Sequence, residues 1–167
     1  MLEGVQIKPL IRRADERGFF LELMRQDWKT LFKEDHVVQA NLSISYPSII
    51  RAWHRHLRGQ VDYFVALKGA LKICAYDEAS GEIAEVISTG NDLQIVRIPG
   101  KYWHGFKVVS DENAWLLYFV NKLYDTENPD EERRPWNDST LIPKIINGRR
   151  NDPRVNKPWD WTFPPHQ

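Results

Sequence analysis

The chain has 167 residues, which suits one domain of ordinary size. It carries 23 Lys and Arg against 23 Asp and Glu, so its formal net charge is zero and bulk electrostatics do not indicate a nucleic-acid-binding protein. Hydrophobic residues make up 42% of the sequence, which is enough for a packed core and too many for a disordered chain. No apolar run approaches the ~20 residues that a membrane-spanning helix needs. We therefore expect neither a nucleic-acid polymer nor a membrane as partner.

Cysteine usage points to a reducing compartment. Cys74 is the single cysteine, so an internal disulfide is impossible and a disulfide-stapled secreted scaffold is excluded. It lies in the alternating segment 70–76, which indicates a buried small hydrophobic residue in a strand rather than a nucleophile. Residues 1–6 show no basic-then-apolar signal pattern. These features predict a cytoplasmic protein.

The first part of the chain is dominated by strand patterns. A short apolar strand is predicted at residues 5–10, and an aromatic strand at 19–23 follows the turn at 15–18. A short helix is predicted at 27–32, with Asp27 as its N-cap. Residues 37–46 alternate strictly, so one face of this strand is consistently polar. That polar face consists of Gln39, Asn41, Ser43 and Ser45.

Seven further strand-like segments, separated by turn signals, follow in the next part of the chain. They are residues 49–54, 63–68, 71–77, 83–88, 94–98, 105–109 and 114–120. This spacing predicts an all-β barrel or sandwich over about residues 5–124, within a single domain that spans 1–167. Residues 125–167 form a proline-rich extension with three tryptophans, Trp136, Trp159 and Trp161. We predict that it wraps irregularly over the barrel, with a short helix near 129–133.

Three histidines lie in strand-like segments and could share a site. His54 and His56 are two residues apart and so point to the same side of a strand. His104 follows Pro99 by five residues, at the end of a turn. With a carboxylate position filled by Gln60 or Asp62, this spacing resembles the cupin pattern. In that pattern, two histidines, a carboxylate and a third histidine converge inside a double-stranded β-helix, or small jelly roll.

An ordered set of motifs resembles the dTDP-4-dehydrorhamnose 3,5-epimerase family, whose members have the cupin fold. The family patterns D-x-R-G-x-F-x-E, Q-x-N-x-S, R-G-L-H, I-P-x-G-x-x-H-G-F and Y…Y…W-N-D have counterparts here. They are residues 15–22, 39–43, 51–54, 98–106, then Tyr118, Tyr124 and 136–138. In the counterpart of the R-G-L-H motif, Ala52 stands at the position of the glycine. The resemblance covers roughly residues 7–145.

The resemblance implies an isomerase that acts next to the ketone of a dTDP-4-keto-6-deoxyhexose, without a cofactor and as a homodimer. His54 would be the base that removes a proton beside the ketone, and Tyr118 the acid that returns one on the opposite face. Inversion needs groups on both faces of the ring, because one base that reprotonates its own face produces no net change. The resemblance also places His104 near the sugar oxygens. We count His104 and Asp62, which stands at a position where the family differs, among the candidate catalytic residues.

The substrate-binding residues are also implied by the resemblance. Arg17 and Arg51 would hold the diphosphate, since a planar guanidinium suits phosphate oxygens. A few local cations of this kind are sufficient even in a chain with no net charge. Tyr124 would stack on the base. The nucleotide or sugar pocket would be lined by Glu22, Gln39, Asn41 and His56.

One departure from the family alters the expected chemistry. The family has Gln-x-Lys-Leu-Val after the catalytic histidine, and its lysine stabilises the enolate, whereas this chain has Asp62 at the lysine position. A carboxylate repels an enolate, and each ~1.4 kcal/mol of lost transition-state stabilisation costs a factor of ten in rate. Arg55 or Arg58 could supply the missing cation, or the protein could invert a single carbon or isomerise another keto-sugar.

A metal centre is the alternative. A divalent transition metal held by His54, His56, Asp62 and His104 would supply the positive charge and suits this donor set, although it would remove His54 as a free base. A non-catalytic nucleotide-sugar-binding module is a third hypothesis. In the family a C-terminal carboxylate orients the catalytic histidine, and Asp152 and Asp160 are both candidates for that role.

Overall fold

The computed structural model describes residues 2–163, and strands form almost all of its regular structure. In chain order the elements are β1 (Gln6–Pro9), β2 (Arg13–Asp15), β3 (Gly18–Phe20), α1 (Lys29–Phe32), β4 (Gln39–Ser45), β5 (Ile50–Arg55), β6 (Val61–Lys68), β7 (Ala70–Asp77), β8 (Glu82–Thr89), β9 (Gln94–Pro99), β10 (Trp103–Val108), β11 (Ala114–Val120), β12 (Glu132–Arg133) and β13 (Ile145–Ile146).

The strands form two main sheets that pack face to face. A five-stranded sheet has the order β1-β9-β6-β11-β4, and a six-stranded sheet has the order β12-β5-β10-β7-β8-β13. Strands β2 and β3 form a separate hairpin. Apolar side chains from both sheets, such as Phe64 and Val96 on one and Ile73 and Phe106 on the other, fill the space between them. This arrangement is a small cupin jelly roll and confirms the predicted all-β class.

The helix differs from the prediction in its start. It spans only Lys29–Phe32, its N-cap position is Trp28, and no side chain caps it. Asp27 does not cap the helix because both of its carboxylate oxygens accept hydrogen bonds from the Arg25 guanidinium, at 2.9 and 2.7 Å. The helix buries Leu31 and Phe32 against the outer face of the five-stranded sheet.

The C-terminal extension wraps over the six-stranded sheet, as predicted. Trp159 and Trp161 are buried there, and the Trp161 ring lies 4.7 Å from that of Trp53. Trp136, in contrast, is half exposed, and it contributes its backbone carbonyl as acceptor for the Trp161 indole N–H. The described residues include no helix long and apolar enough to cross a membrane.

The helix predicted near residues 129–133 is wrong. The chain is extended there, and β12 pairs with β5, with Glu132 opposite Arg55 and Arg133 opposite His54. The backbone groups along the outer side of β5 find partners in this way, and the Arg55 side chain adds an ion pair to Glu132 at 2.6 Å. The segment is therefore held beside the strand that carries His54.

Cys74 is fully buried in β7, as expected for a small core residue. Burial raises the pKa of its thiol well above the ordinary value, which disfavours the reactive thiolate.

Candidate active site

A cavity of about 970 Å³ lies between the two sheets. Strand β4 supplies one wall with Gln39, Asn41 and Ser43, which is the polar face seen in the sequence. Strand β4 is therefore turned with its polar side inward and its apolar side outward, opposite to an ordinary half-buried strand. A polar wall of this kind is suited to a hydrophilic ligand. The Gln39 amide donates to Asn41 Oδ1 at 2.8 Å, and Gln39 Oε1 accepts the Tyr124 backbone N–H at 2.9 Å.

The three predicted histidines lie together beside the cavity, which His54 and His56 line and the fully buried His104 does not. Strands β5 and β10 pair His54 directly opposite His104, and His56 is the first residue after the end of β5. Each ring offers a nitrogen that lies within 4.8 Å of a nitrogen of the other two. His104 is fully buried, His56 is 9% exposed, and His54 lines the cavity. The structure therefore brings the three histidines together.

Backbone carbonyls fix the orientation of two of these rings. His104 Nδ1 lies 2.8 Å from the Tyr102 carbonyl oxygen, and His56 Nδ1 is hydrogen-bonded to the Asp130 carbonyl oxygen. A carbonyl only accepts hydrogen bonds, so each Nδ1 must carry the proton. In the neutral rings, both Nε2 atoms are then acceptors.

Asp62 lies beside these two acceptors and is almost completely buried. Its Oδ2 atom lies 3.2 Å from His104 Nε2 and 3.7 Å from His56 Nε2, while Oδ1 accepts a hydrogen bond from the Gln60 amide at 3.0 Å. Among residues 2–163, neither Asp62 Oδ2 nor His104 Nε2 has a hydrogen-bond partner of acceptable geometry. Acceptors that face one another in a buried place need a proton or a cation between them.

His54 and Tyr118 are biased toward opposite protonation states. Burial lowers the pKa of His54 well below its ordinary value, and the neighbouring His104, His56 and Arg133 act in the same direction. Burial raises the pKa of Tyr118, with the carboxylates of Asp62 and Glu131 adding to the effect. His54 is thus a neutral base and Tyr118 a protonated acid near neutral pH.

The predicted substrate-binding residues divide between the cavity and the surface. Arg51 and Tyr124 line the cavity, and Arg51 Nε donates to Ser45 Oγ at 3.0 Å without a carboxylate partner among the described residues. Arg17 lies in the β2–β3 hairpin, where it pairs with Asp15 at 2.6 Å, and Glu22 pairs with Arg25 at 2.6 Å. Neither Arg17 nor Glu22 lines the cavity of its own chain.

The two arginines considered as replacements for the family lysine have other partners. Arg55 forms ion pairs with Glu132 and Glu78, and its guanidinium stacks 4.4 Å from the Trp103 ring, so it does not line the cavity. Arg58 does line the cavity, but it donates to the Asn128 carbonyl at 2.5 Å and lies 3.5 Å from Asp130. Neither arginine is a free cation beside Asp62.

The two C-terminal carboxylates lie outside the cavity lining. Asp152 is bound by Arg154 at 2.9 Å, which lowers the pKa of its carboxyl to about 2. Asp160 accepts the Thr162 backbone N–H at 2.7 Å. The extension instead approaches the site through residues 125–134. Sequence reasoning missed five cavity-lining residues of this segment, because the segment has no periodicity that assigns its side chains to a face. They are Asp125, Asp130, Glu131, Arg133 and Arg134.

The pKa shift of His54 predicts a specific titration behaviour. At about pH 6.5, where a free histidine is half protonated, His54 should remain neutral, and it should gain a proton only at clearly lower pH. Because the unfolded chain then binds the proton more readily than the folded chain, this residue should make folding stability decrease as pH falls below about 6.5. Ring ¹⁵N NMR of the wild type, assigned with His54→Gln, measures the midpoint. A midpoint at or above about pH 6.5, the ordinary value for a free histidine, would contradict the prediction.

Comparisons with known proteins agree with this architecture. The sequence model described as polysaccharide biosynthesis C-terminal domain matches residues 13–132. The chain is 39% identical over 140 residues to the probable low-salt glycan biosynthesis epimerase Agl13 of Haloferax volcanii, across 81% of this chain and 88% of that protein. It is 35% identical over 147 residues to the spore coat polysaccharide biosynthesis protein SpsL of Bacillus subtilis, across 84% and 94% of the two chains.

Among solved structures, the dTDP-6-deoxy-D-glucose-3,5-epimerase RmlC of Legionella pneumophila, crystallised with dTDP-4-keto-L-rhamnose, superposes with a TM-score of 0.72. Its sequence identity to this chain is 27%, and the match covers 82% of this chain and 76% of that one. These matches confirm both the cupin fold and the resemblance drawn from the sequence motifs. The chain belongs to the polysaccharide biosynthesis C-terminal domain family and is a divergent relative of the dTDP-4-dehydrorhamnose 3,5-epimerases.

Proposed function

We propose that this protein is a nucleotide-sugar epimerase that inverts a carbon next to the ketone of a dTDP-4-keto-6-deoxyhexose. The observation that carries the proposal is the placement of His54 and Tyr118. His54 lies on β5 of one sheet and Tyr118 on β11 of the other, and both side chains line the same cavity. A sugar ring between the two sheets is then within reach of a base on one side and an acid on the other.

The reaction follows from the two protonation states. Neutral His54 takes the proton from the carbon beside the ketone, and the electron pair moves into the ketone to form an enolate. Tyr118 then donates its phenolic proton to the opposite face of that carbon, which inverts it. Histidinium and phenolate remain, and a proton transfer through solvent restores both groups. Each group contributes about 10²–10⁴ to the rate in reactions of this kind.

The charges along the cavity support an orientation for the substrate. Asp62, at the inner end, is 2% exposed, whereas Arg51 is exposed and has no acidic partner among the described residues. The diphosphate, which carries the negative charge, is better placed at Arg51 than beside Asp62. The uncharged sugar then lies toward the histidines. A proton or cation between Asp62 and His104 offsets the repulsion that a bare carboxylate would exert on the enolate.

Isotope exchange from heavy water tests the reaction. With dTDP-4-keto-6-deoxyglucose, the wild type should incorporate deuterium next to the ketone and invert that carbon. His54→Ala should slow exchange by about 10²–10⁴-fold because the base is lost. Tyr118→Phe should still exchange deuterium at the carbon that His54 deprotonates, but with retained configuration, because the opposite acid is missing. NMR of the sugar measures both the exchange and the configuration.

The same experiment separates an enzyme from a binding module. If the wild type binds dTDP or the keto-sugar but exchanges no proton at any position, the catalytic proposal is wrong and the binding module is favoured. Binding of dTDP by His54→Ala shows that a loss of exchange is not a loss of folding. Ile87→Ala, a partly exposed change on β8 away from the cavity, is the matched control and should leave exchange unchanged.

We also propose a cytoplasmic location.

The proposal further includes a homodimer, which the family resemblance leads us to expect. Strand β4 is the last strand of its sheet, and its outward side chains include Leu42 and Ile44, which are 54% and 46% exposed. Phe19 and Phe20 of the β2–β3 hairpin are exposed as well. Exposed apolar groups of this size favour an interface between protein chains. A second copy would also offer a place for Arg17 and Glu22, which do not reach their own cavity.

Sedimentation analysis tests the dimer. The wild type should sediment as a dimer at micromolar concentration, and Leu42→Glu should shift it toward the monomer, because a charge at an apolar interface must be desolvated. Ile87→Glu, a comparably exposed aliphatic position on β8 of the other sheet, should leave the dimer intact. A wild type that sediments as a monomer would contradict this part of the proposal.

A metal-dependent cupin enzyme is the second candidate function, because the residues at the inner end of the cavity fit a divalent transition metal. His54, His56 and His104 present nitrogens within 4.8 Å of one another, and Asp62 Oδ2 is buried beside two of them without a hydrogen bond. His56 and His104 each donate their other ring N–H to a backbone carbonyl, as metal-binding histidines commonly do. A metal held by these residues would supply the positive charge that the family's lysine provides and that this chain lacks, because Asp62 stands at the lysine position.

Metal analysis decides between the two candidates. If the second is correct, protein purified without chelator should contain about one Zn, Fe, Mn or Ni ion per chain, and His104→Gln or Asp62→Asn should lower that content at least tenfold. His36→Gln, at an exposed position outside the cluster, should not. Full exchange activity in protein that contains no transition metal would contradict the metal-dependent function.

A further inference from the structure

Residues 128–134 run past the outer end of β5 and the loop that follows it. Within this segment the Asp130 carboxylate accepts two backbone hydrogen bonds, from the Leu57 N–H at 2.9 Å and the Arg58 N–H at 2.8 Å. Both carboxylate oxygens of Asp130 thus bind backbone N–H groups of the loop that directly follows His56. Arg58 adds a hydrogen bond to the Asn128 carbonyl, so the segment and the loop are joined at several points.

The same residue contacts His56 through its main chain. The Asp130 carbonyl accepts the hydrogen bond from His56 Nδ1, so the ring is held in the form that carries its proton on Nδ1. Because the carboxylate of Asp130 fixes the position of its own residue against the loop, it also fixes the carbonyl that the ring contacts. The side chain and the backbone of one residue therefore act together on His56.

We propose that Asp130 is a positioning residue, which holds His56 with Nε2 turned into the cavity and so keeps the buried Gln60–Asp62–His104 contacts in register. The effect on catalysis rests on the proposed epimerase function. The effect on the ring does not.

The contacts beyond His56 explain why its orientation matters. The Gln60 side-chain amide lies 3.1 Å from His56 Nε2 and 3.0 Å from Asp62 Oδ1, and it donates one of its two hydrogens to each. If the His56 proton moved to Nε2, two donors would face each other and the first of these bonds would be lost. Gln60 would then be held only by its bond to Asp62, and the hydrogen-bonded link between His56 and Asp62 would be broken.

Asp62 connects Gln60 and His56 to the proposed base, His54, by way of His104. Its Oδ2 atom faces His104 Nε2 at 3.2 Å, and the His104 ring packs against the His54 ring with 4.2 Å between centroids. Among the described residues, no carboxylate forms a hydrogen bond with His54. The base is therefore oriented by packing against His104. His104 faces Asp62, Asp62 is bonded to Gln60, Gln60 is bonded to His56, and His56 is bonded to the Asp130 carbonyl.

The experiment measures the His56 tautomer directly. Long-range ¹H–¹⁵N NMR of histidine rings at about pH 8.5, about two units above the ordinary histidine pKa, distinguishes a proton on Nδ1 from one on Nε2. His56→Gln assigns the signal. In the wild type the proton should be on Nδ1. In Asp130→Ala a substantial share of His56 should carry it on Nε2, and Asp130→Asn, which keeps one side-chain oxygen as acceptor, should show a smaller change.

Activity gives the second measurement. Deuterium exchange with the keto-sugar should show a kcat about tenfold lower or more for Asp130→Ala, with KM within threefold of the wild type, since Asp130 acts on the histidine cluster rather than on the nucleotide. Asp77→Ala is the matched control, because the Asp77 carboxylate also accepts two backbone N–H groups, those of Ala79 and Ser80, in a turn away from the cavity. It should leave both the tautomer and kcat unchanged.

The outcomes separate this inference from the proposed function. A wild-type His56 with its proton on Nε2, or an unchanged tautomer in folded Asp130→Ala, overturns the positioning role whatever the activity. An equal change in Asp77→Ala also overturns it, because the effect would then be general to the fold. Absence of exchange in the wild type, with the Nδ1 tautomer observed and lost in Asp130→Ala, refutes the epimerase function and leaves the positioning role intact.

Discussion

Burial of polar side chains between two apolar sheets is the constraint on which this structure depends. Asp62 and His104 are at most 2% exposed and His56 is 9% exposed, in a domain whose remaining interior is mainly aliphatic and aromatic. Each such group destabilises the fold by several kcal/mol unless it has a partner. The carbonyls of Tyr102 and Asp130 and the Gln60 amide are those partners, and each is supplied by a turn or a segment rather than by a strand. The loops are therefore fixed by the same contacts that make the site possible.

The inverted polarity of β4 is a consequence of the same constraint. A cavity that holds a hydrophilic ligand needs a polar wall, so Gln39, Asn41 and Ser43 point inward and the apolar side of the strand faces outward. On the neighbouring strands of that sheet, α1 covers the outer face with Leu31 and Phe32, but Leu42 and Ile44 have no such cover. The polar wall of the site and the exposed apolar stripe thus arise from one alternating pattern.

The sequence predicted the parts of the molecule that depend on periodicity and on local spacing. The alternation of residues 37–46 places the polar wall, and the i, i+2 spacing of His54 and His56 places both on the cavity side of β5. The pattern could not show the contribution of residues 125–134, because extended segments between prolines have no repeating face, and their positions depend on pairing with β5. Asp27 shows a further limit, since an ion pair with Arg25, two residues earlier, outcompeted the cap that the residue type favours.

The replacement of the family lysine by Asp62 changes the site as a whole rather than one residue. A lysine at this position would place a cation beside the two inward Nε2 acceptors and would satisfy them. A carboxylate adds a third acceptor, and neither Arg55 nor Arg58 compensates, because both guanidiniums have partners elsewhere. His56 Nε2 already accepts a hydrogen bond from Gln60, but Asp62 Oδ2 and His104 Nε2 have no donor among the described residues, and two buried acceptors that face each other need a shared proton or a metal ion. In both cases the positive charge returns to the position of the missing lysine, so the electrostatics that an enolate requires can be restored with a different set of atoms.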